Sequence, residues 1–424
     1  MLNPKHFLRN SIGYEMLRSY LQFFQNYLYY RKVIIKSYPK DIPENTPLIF
    51  VSNHQNTLMD PFAILFNCGS LQPIFLARAD VFSNDSMIKF LTFLKILPVY
   101  RQKDGVEDMN GKNDVIFEQC IELLQNNRSL VVFPEGNHGV QYKLRPLKKG
   151  TARIALRAES NANWELGTKI IPCGVHYTHC QKMGEILTVH YGQPIDIQDY
   201  KEEFLSNQPR TYSSLTNKIK ERLLFLMLHI ENEKYYDETL FLTQLNQTED
   251  PLESGRATIE KLKALTPEKY EERMAEAAYL KSEFKKNNLD ANVLAEKKSS
   301  TFFFIMMVLV TIMTFPMAVI GYVFNFIPFS LPLLITRKLE DKQFTSCYRF
   351  SLYFLITFPF YYLILFVVFI NFYSFPQTLM LLLISAFLGV FAHRWARFAD
   401  RIRQVSYLYG SKLKYNYLKL TSWD

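Results

Sequence analysis

The stretch VSNHQNTLMDP, residues 51–61, sets His54 and Asp60 six positions apart, directly after a short apolar run. The run LIFVSN reads as a strand that ends at Asn53. Asp60-Pro61 reads as a helix start, with Asp60 as N-cap and Pro61 at the first helical position. His54 then lies at the C-terminal edge of a strand, where open α/β sheets place their ligand sites. If the loop folds back, the carboxylate meets the imidazole, fixes its tautomer and supports the cation formed on proton uptake. The plainer reading is a helix cap beside a surface histidine.

A second stretch, SLVVFPEGNHG at 129–139, runs a strand out into Pro134-Glu135-Gly136. Gly136 permits a tight turn and close approach of backbone N–H groups to an anion. Glu135 can hold a substrate hydroxyl or organise neighbouring bases. Lys143, Arg145, Lys148 and Lys149 follow, and Gly150 opens a helix. Bases at a helix N-terminus make a phosphate site. In KILPVYRQKD, Arg101 stands just past a strand end and offers a fixed fork to a phosphate. In KIIPCGVHYTHC, Pro172 interrupts a strand and so marks an edge or a bulge. His176 and His179 have metal-like spacing but no third ligand at a supporting interval, so they read as structural and no metal is expected. The chain has no G-x-S-x-G elbow, Walker loop or well-placed G-x-G-x-x-G. What remains is a histidine base with phosphate anchors, which suits acyl transfer to the hydroxyl of a phosphate-bearing lipid precursor.

The elements around these residues alternate. PLIFVSN, PIFLAR, ILPVYR, SLVVFPEG, KIIPCGVHY and ILTVHYG read as strands, the last two close enough to pair antiparallel. DPFAILFN, DSMIKFLTFLK, NDVIFEQCIELLQNN and KKGTARIALRAES carry helical spacing. This predicts an α/β domain over 46–200, a mostly parallel sheet flanked by helices. Residues 1–45 are expected to form an amphipathic, interfacial helix through SYLQFFQNYLYYRKVIIKSY, with aromatics at headgroup depth and bases toward phosphates. Residues 201–300 are a polar helical segment whose charges form a solvated face, with Thr266-Pro267 as a helix start.

Residues 301–424 form a hydrophobic membrane region with a basic tail. Residues 302–335, 350–370 and 378–392 are nearly free of charge, and a bilayer core needs about 20 apolar residues per helix. The first run is too long for one straight span, and Pro316, Gly321, Pro328 and Pro332 offer bends. Arg337, Lys338, Lys342 and Arg349 separate the first two runs. Arg394, Arg397, Arg401 and Arg403 follow the third, and Lys297 and Lys298 precede the first. The positive-inside rule sets all three groups on the cytoplasmic face. Runs two and three then form a hairpin, and the first becomes a broken, re-entrant segment.

A net charge of +9 over 424 residues favours anionic partners, and no nucleic-acid module is present. The five cysteines are scattered without C-x-x-C spacing and read as reduced thiols. The opening MLNPKHFLRNSIGYEML has no apolar core or cleavage site, so no secretory signal is expected. No internal repeat is visible.

Taken together, these motifs resemble the phospholipid/glycerol acyltransferases, the family that includes 1-acylglycerol-3-phosphate acyltransferase. The family's first motif is NHxxxxD, and this sequence has Asn53, His54 and Asp60. Its second ends a strand on a phosphate-binding arginine, here Arg101. Its third, FPEG followed usually by TRS, is Phe133 to Gly136 and then Asn137-His138-Gly139. Its fourth, a strand with an embedded proline, is Ile171-Pro172. The resemblance covers about 40–200 and extends to LKKG at 147–150. It implies that His54 is the general base on the acceptor hydroxyl and that Asp60 orients it. The hydroxyl would attack the thioester of acyl-CoA or acyl-carrier protein directly. Glu135 and Gly136 would help bind the acceptor, Arg101 would hold its phosphate, and no metal or other cofactor would be needed. Asn137-His138-Gly139 in place of TRS removes an expected arginine, with Arg145, Lys148 and Lys149 the candidates to replace it. The implied enzyme is a multi-pass membrane acyltransferase with its catalytic domain on the cytoplasmic face and lysophosphatidate as leading acceptor. The alternatives are glycerol-3-phosphate or another lysolipid as acceptor, an idle lipid-binding scaffold, and a thioester or lysolipid hydrolase.

Overall fold

The computed structural model describes residues 5–9, 11–40, 42–43, 45–100, 108–294 and 301–423. Arg101, Lys297 and Lys298 lie outside them. The chain divides into two compact units, Met1–His229 and Ile230–Asp424.

The first unit is built on an eight-stranded sheet: β1 (Lys32–Lys36), β2 (Leu48–Ser52), β3 (Ile74–Arg78), β4 (Ile96–Val99), β5 (Leu130–Val132), β6 (Lys169–Tyr177), β7 (Ile186–Tyr191) and β8 (Ile195–Asp196). Their order is β1-β7-β6-β2-β5-β3-β4, with β8 on β6. Every pairing is parallel except β6 with β7 and β6 with β8. This is the mostly parallel sheet expected, with the last strands turned back. The helices Met59–Leu65, Asp85–Phe93, Met109–Gln125 and Gly150–Asn161 fall where their spacing predicted.

β2 and β5 lie mid-sheet and are buried along their whole lengths. Leu, Ile, Phe and Val fill them because a central parallel strand is covered on both faces. Each such side chain contributes about 1.5–3 kcal/mol on burial. The core continues through Ile154 and Leu156 to Leu215, Ile219 and Leu223 of the helix Gln208–Leu226. The polar segment 201–300 therefore divides its helices between the two units.

Two local elements differ from what the sequence predicts. The helix expected through SYLQFFQNYLYYRKVIIKSY runs from Ile12 to Phe23, continues as a wider turn to Tyr29 and stops. KVIIK is strand β1, paired with β7, because three consecutive β-branched residues favour an extended chain. Pro172 lies at neither a sheet edge nor a bulge. It sits inside β6, between β2 and the antiparallel partners, opposite Val51. On the antiparallel side it falls in the gap between β8, which pairs 169–170, and β7, which pairs 173–177. Its carbonyl accepts from Gly192 N at 2.8 Å on that side, where no partner strand asks for the N–H that proline lacks.

The second unit contains the helices Tyr236–Leu245, Pro251–Lys263 and Pro267–Lys286, the last capped by Thr266 as predicted. Among the described residues, three further helices are long and apolar enough to cross a membrane: Phe302–Phe324, Lys342–Phe369 and Phe375–Gly410. Such helices mark the chain as a membrane protein. The first apolar run breaks into two helices as its length required, but the break falls at Asn325 and not at a proline. Asn325 is fully buried. Its amide donates to the carbonyls of Gly321 and Ser385, both at 3.0 Å, and its oxygen accepts from Tyr362 Oη at 2.7 Å. Those bonds satisfy the polar atoms of the buried side chain in an apolar setting.

Candidate active site

β2 and β5 are parallel neighbours in register, Val51 opposite Val132. The chain therefore leaves both strands side by side, and the loops that follow, 53–58 and 133–139, form one surface. Asn53 fastens the other flank. Its side chain donates to Val175 O at 2.9 Å and accepts from Val175 N at 2.8 Å, extending the β2–β6 ladder.

His54 is the half-exposed residue at the centre. Its Nδ1 lies 2.8 Å from Asp60 Oδ2. With Asp60 ionised, Nδ1 carries the proton and donates it, so Nε2 is left as the basic nitrogen. The ring stacks on Phe133, with centroids 4.3 Å apart and planes at 24°. His138 meets it edge-on at 5.4 Å. Phe133 and His138 come from the β5 loop, so that loop walls the imidazole on two sides.

Asp60 is completely buried. It is not the N-cap that the sequence predicted. It stands in the first turn of the helix Met59–Leu65, and its Oδ2 accepts from the backbone N–H groups of Gln55 and Asn56, both at 2.7 Å. Its Oδ1 accepts from Tyr177 Oη at 2.7 Å. The loop thus folds back on the carboxylate, as the catalytic reading required. Five residues separate His54 from Asp60, one more than the NHxxxxD spelling allows. The loop accommodates the difference with Thr57 at φ +41°, a left-handed conformation that a β-branched residue adopts only under strain. Asn56 ties it down through Cys180 O at 2.8 Å.

Glu135 is buried, and protein donors occupy both its oxygens. Oε1 accepts from His54 N at 2.8 Å; Oε2 accepts from Arg145 Nε at 2.8 Å and Arg145 N at 3.2 Å. Arg145 also donates through Nη2 to His54 O at 2.9 Å and to Asn137 O. Of the roles open to Glu135, organising neighbouring bases is the one this geometry serves. Arg145 is spent on the loop, with its fork turned toward backbone carbonyls. Gly136 has φ +66°, and a Cβ there would lie 3.1 Å from Lys148 Nζ, so the lysine stem crosses the glycine closely. Lys148 and Lys149 are exposed; Lys149 Nζ donates to Ser213 Oγ at 2.7 Å. The structure thus brings His54, Asp60, Glu135, Gly136 and Lys148 together and turns Lys149 toward the helix Gln208–Leu226. Among the described residues no group of three His, Cys, Asp or Glu could hold a metal. His176 and His179 are separate, the first in β6 and the second accepting from Gln181 N at 3.1 Å.

Residues 34–176 match the model of the Acyltransferase family. Glycerol-3-phosphate O-acyltransferase 2 of Saccharomyces cerevisiae is 29% identical over 141 residues, which are 33% of this chain and 18% of that protein. The chloroplastic 1-acyl-sn-glycerol-3-phosphate acyltransferase BAT2 of Brassica napus is 28% identical over 113 residues, 27% of this chain and 30% of its own. The chain therefore spans less than a third of these relatives' lengths. The crystal structure of the 1-acyl-sn-glycerophosphate acyltransferase PlsC from Thermotoga maritima aligns with a TM-score of 0.35 at 18% identity, over 51% of this chain and 85% of that one. The matched segment contains His54, Asp60, Glu135 and Tyr142, and stops one residue before Tyr177. Tyr177 and Arg145 are the site residues whose roles the sequence concealed. Tyr177 ends an apolar strand in which Pro172, His176 and His179 draw the attention, and Arg145 is one of several bases in its loop.

Proposed function

We propose that the chain transfers a fatty acyl group from acyl-CoA or acyl-carrier protein to the hydroxyl of a glycerophosphate-type acceptor, with 1-acylglycerol-3-phosphate, giving phosphatidate, as the leading candidate. The 2.8 Å contact between His54 Nδ1 and Asp60 Oδ2, at the mouth of two buried parallel strands, carries this reading. Nε2 takes the hydroxyl proton as the oxygen attacks the thioester carbonyl carbon. The tetrahedral intermediate collapses with cleavage of the C–S bond, and the departing thiolate receives the proton back from the imidazolium. Asp60 remains ionised throughout and supports the cation. Such general-base assistance is worth about 10²–10⁴ in rate. No metal or further cofactor enters the scheme. Lys148 at the glycine turn, with Arg101 from outside the described residues, would hold the acceptor phosphate, and Lys149 would add to the positive field.

Glycerol-3-phosphate is the second reading for the acceptor, favoured by the Saccharomyces cerevisiae relative's name. Bilayer contact is supported by the three apolar helices and by a stripe on the N-terminal helix and its extension. Ile12, Met16, Tyr20, Phe23 and Tyr27 recur at helical spacing there and are all exposed. With basic clusters on the cytoplasmic side, the catalytic unit would work on that face.

The test is transfer of labelled acyl groups by purified protein in detergent, wild type beside His54→Ala. Acyl-CoA and acyl-carrier protein are each offered with lysophosphatidate and with glycerol-3-phosphate. Transfer to one acceptor, lost in a folded His54→Ala protein, is the expected result. Transfer undiminished by the substitution would remove His54 from the mechanism.

A further inference from the structure

We infer that Tyr177 is a positioning residue that sets the orientation and basicity of His54 through Asp60, an inference that rests on the acyltransferase reading above. Asp60 has two oxygens with different duties. Oδ2 is shared by His54 Nδ1 and two backbone N–H groups. Among the described residues, Tyr177 Oη is the one donor to Oδ1, at 2.7 Å. A carboxylate gripped on one oxygen alone can swing about its Cβ–Cγ bond. With a donor on each oxygen its plane is fixed, and so is the direction from which it meets the imidazole.

The donor is itself held firmly. Tyr177 is fully buried at the end of β6, and its backbone carbonyl accepts from Tyr142 Oη at 2.6 Å. Tyr30 packs against its ring at 5.9 Å. Burial, then the negative charge of Asp60, push the Tyr177 hydroxyl well above its ordinary range, so it keeps its proton and acts only as a donor here. Among the described residues, the other polar groups facing this assembly are the Tyr30 hydroxyl, Glu135 on His54 N, Arg145 on His54 O, the His138 ring, Cys180 and Glu185. None of them is placed on Asp60 Oδ1.

The O–H draws part of the carboxylate's charge away from Oδ2. Removing it concentrates that charge against the imidazole. The ring should then hold its proton more tightly while losing its fixed direction. A bond that only pinned the helix Met59–Leu65 to the sheet would change stability without changing the titration of His54.

The experiment uses the full chain in detergent with isotope-labelled histidine. Eight histidines are present, and His54 is assigned by its loss in His54→Gln. In Tyr177→Phe the His54 titration should move upward by about half a unit or more. The acid limb of kcat/KM should follow it, and kcat should fall about tenfold with acceptor KM unchanged. Tyr30→Phe should change these far less, because among the described residues the Tyr30 hydroxyl meets no hydrogen-bond acceptor and reaches Asp60 only through space. If Tyr177→Phe does not fold, a fluorinated tyrosine at position 177 keeps the donor, strengthens it and should move His54 downward. An unmoved His54 titration in either variant overturns the inference. The titration needs no turnover. Absence of acyl transfer from wild type would thus defeat the functional reading and leave the Tyr177 coupling separately testable.

Discussion

Arg145 and Glu135 form an ion pair, 2.8 Å from Nε to Oε2, that closes around the backbone of His54. Glu135 accepts the His54 N–H and Arg145 donates to the His54 carbonyl, so both polar groups of one peptide residue are held by one pair of side chains. The planar fork of arginine lets one side chain reach the carboxylate and two carbonyls together, which an ammonium on a flexible stem does not reproduce. Arg145→Lys should therefore lower kcat/KM about 30-fold while retaining the charge, and Glu135→Gln should do the same or worse. Either substitution should cost about 1–3 kcal/mol in unfolding free energy. Steady-state kinetics beside thermal melts check this. Full activity in Arg145→Lys would mean that the charge alone matters there.

The sheet also depends on one close approach. A Cβ on Gly174, in β6, would lie 2.1 Å from the carbonyl oxygen of Leu226 at the end of the helix Gln208–Leu226. Backbone on both sides leaves neither partner free to yield. Gly174→Ala should destabilise the first unit by about 3 kcal/mol or more, toward the upper end for overpacking. The measurement is thermal unfolding with recovery of folded protein. Because Asn53 is bonded to the neighbouring Val175, surviving protein should also lose transfer activity. An unchanged melting temperature would show that helix and strand can part at no cost.

Lys95 provides a pH-dependent stability. It is almost fully buried, with its ammonium over the Tyr14 ring and donating to Gln72. Burial first, and Arg128 second, push its pKa down from 10.5 to about 8, with Glu15 opposing. The folded state thus releases this proton near pH 8, while the unfolded chain holds it to about 10.5. Between those values the unfolded state binds more protons, so stability rises with pH across the window. Below pH 8 the buried charge costs about 2–3 kcal/mol. Lys95→Met should be more stable than wild type at pH 7, and the difference should shrink toward pH 10.5. Denaturant unfolding of both proteins across pH 7–10.5 decides it, and a constant difference would contradict the shift.

The sheet was legible because apolar runs between turn residues leave few alternatives for buried parallel strands, and all six expected strands occur. β1 was hidden because KVIIK follows directly on a helical aromatic run with no glycine or proline to separate them. The break at Asn325 was hidden for a related reason: prolines draw attention as helix breakers, yet Pro316 lies within a continuous helix and a buried amide ends it. At the site, His54 and Asp60 were legible by type and order. The partners that position them, Tyr177 and Arg145, become visible only when strands distant in sequence are set side by side.

Cys347 offers a test of membrane topology with no engineered label. None of the five cysteines is in a disulfide. Four are buried, and Cys347 is half-exposed in the basic segment that follows Arg337 and Lys338. Burial pushes the Cys68, Cys120 and Cys180 thiols up to about 12, so they present almost no thiolate near neutral pH. A membrane-impermeant maleimide should thus modify the native chain at one position, and Cys347→Ser should abolish labelling. If the basic segment is cytoplasmic, Cys347 in sealed vesicles should react only where the cytoplasmic face is outward. With the basic pair before Phe302 on that same face, this outcome requires the apolar stretch of Phe302–Phe324 and Phe326–Arg337 to enter and leave on one side, bending at Asn325. Labelling from the opposite face would make the same stretch a single crossing and place Arg337 and Lys338 outside.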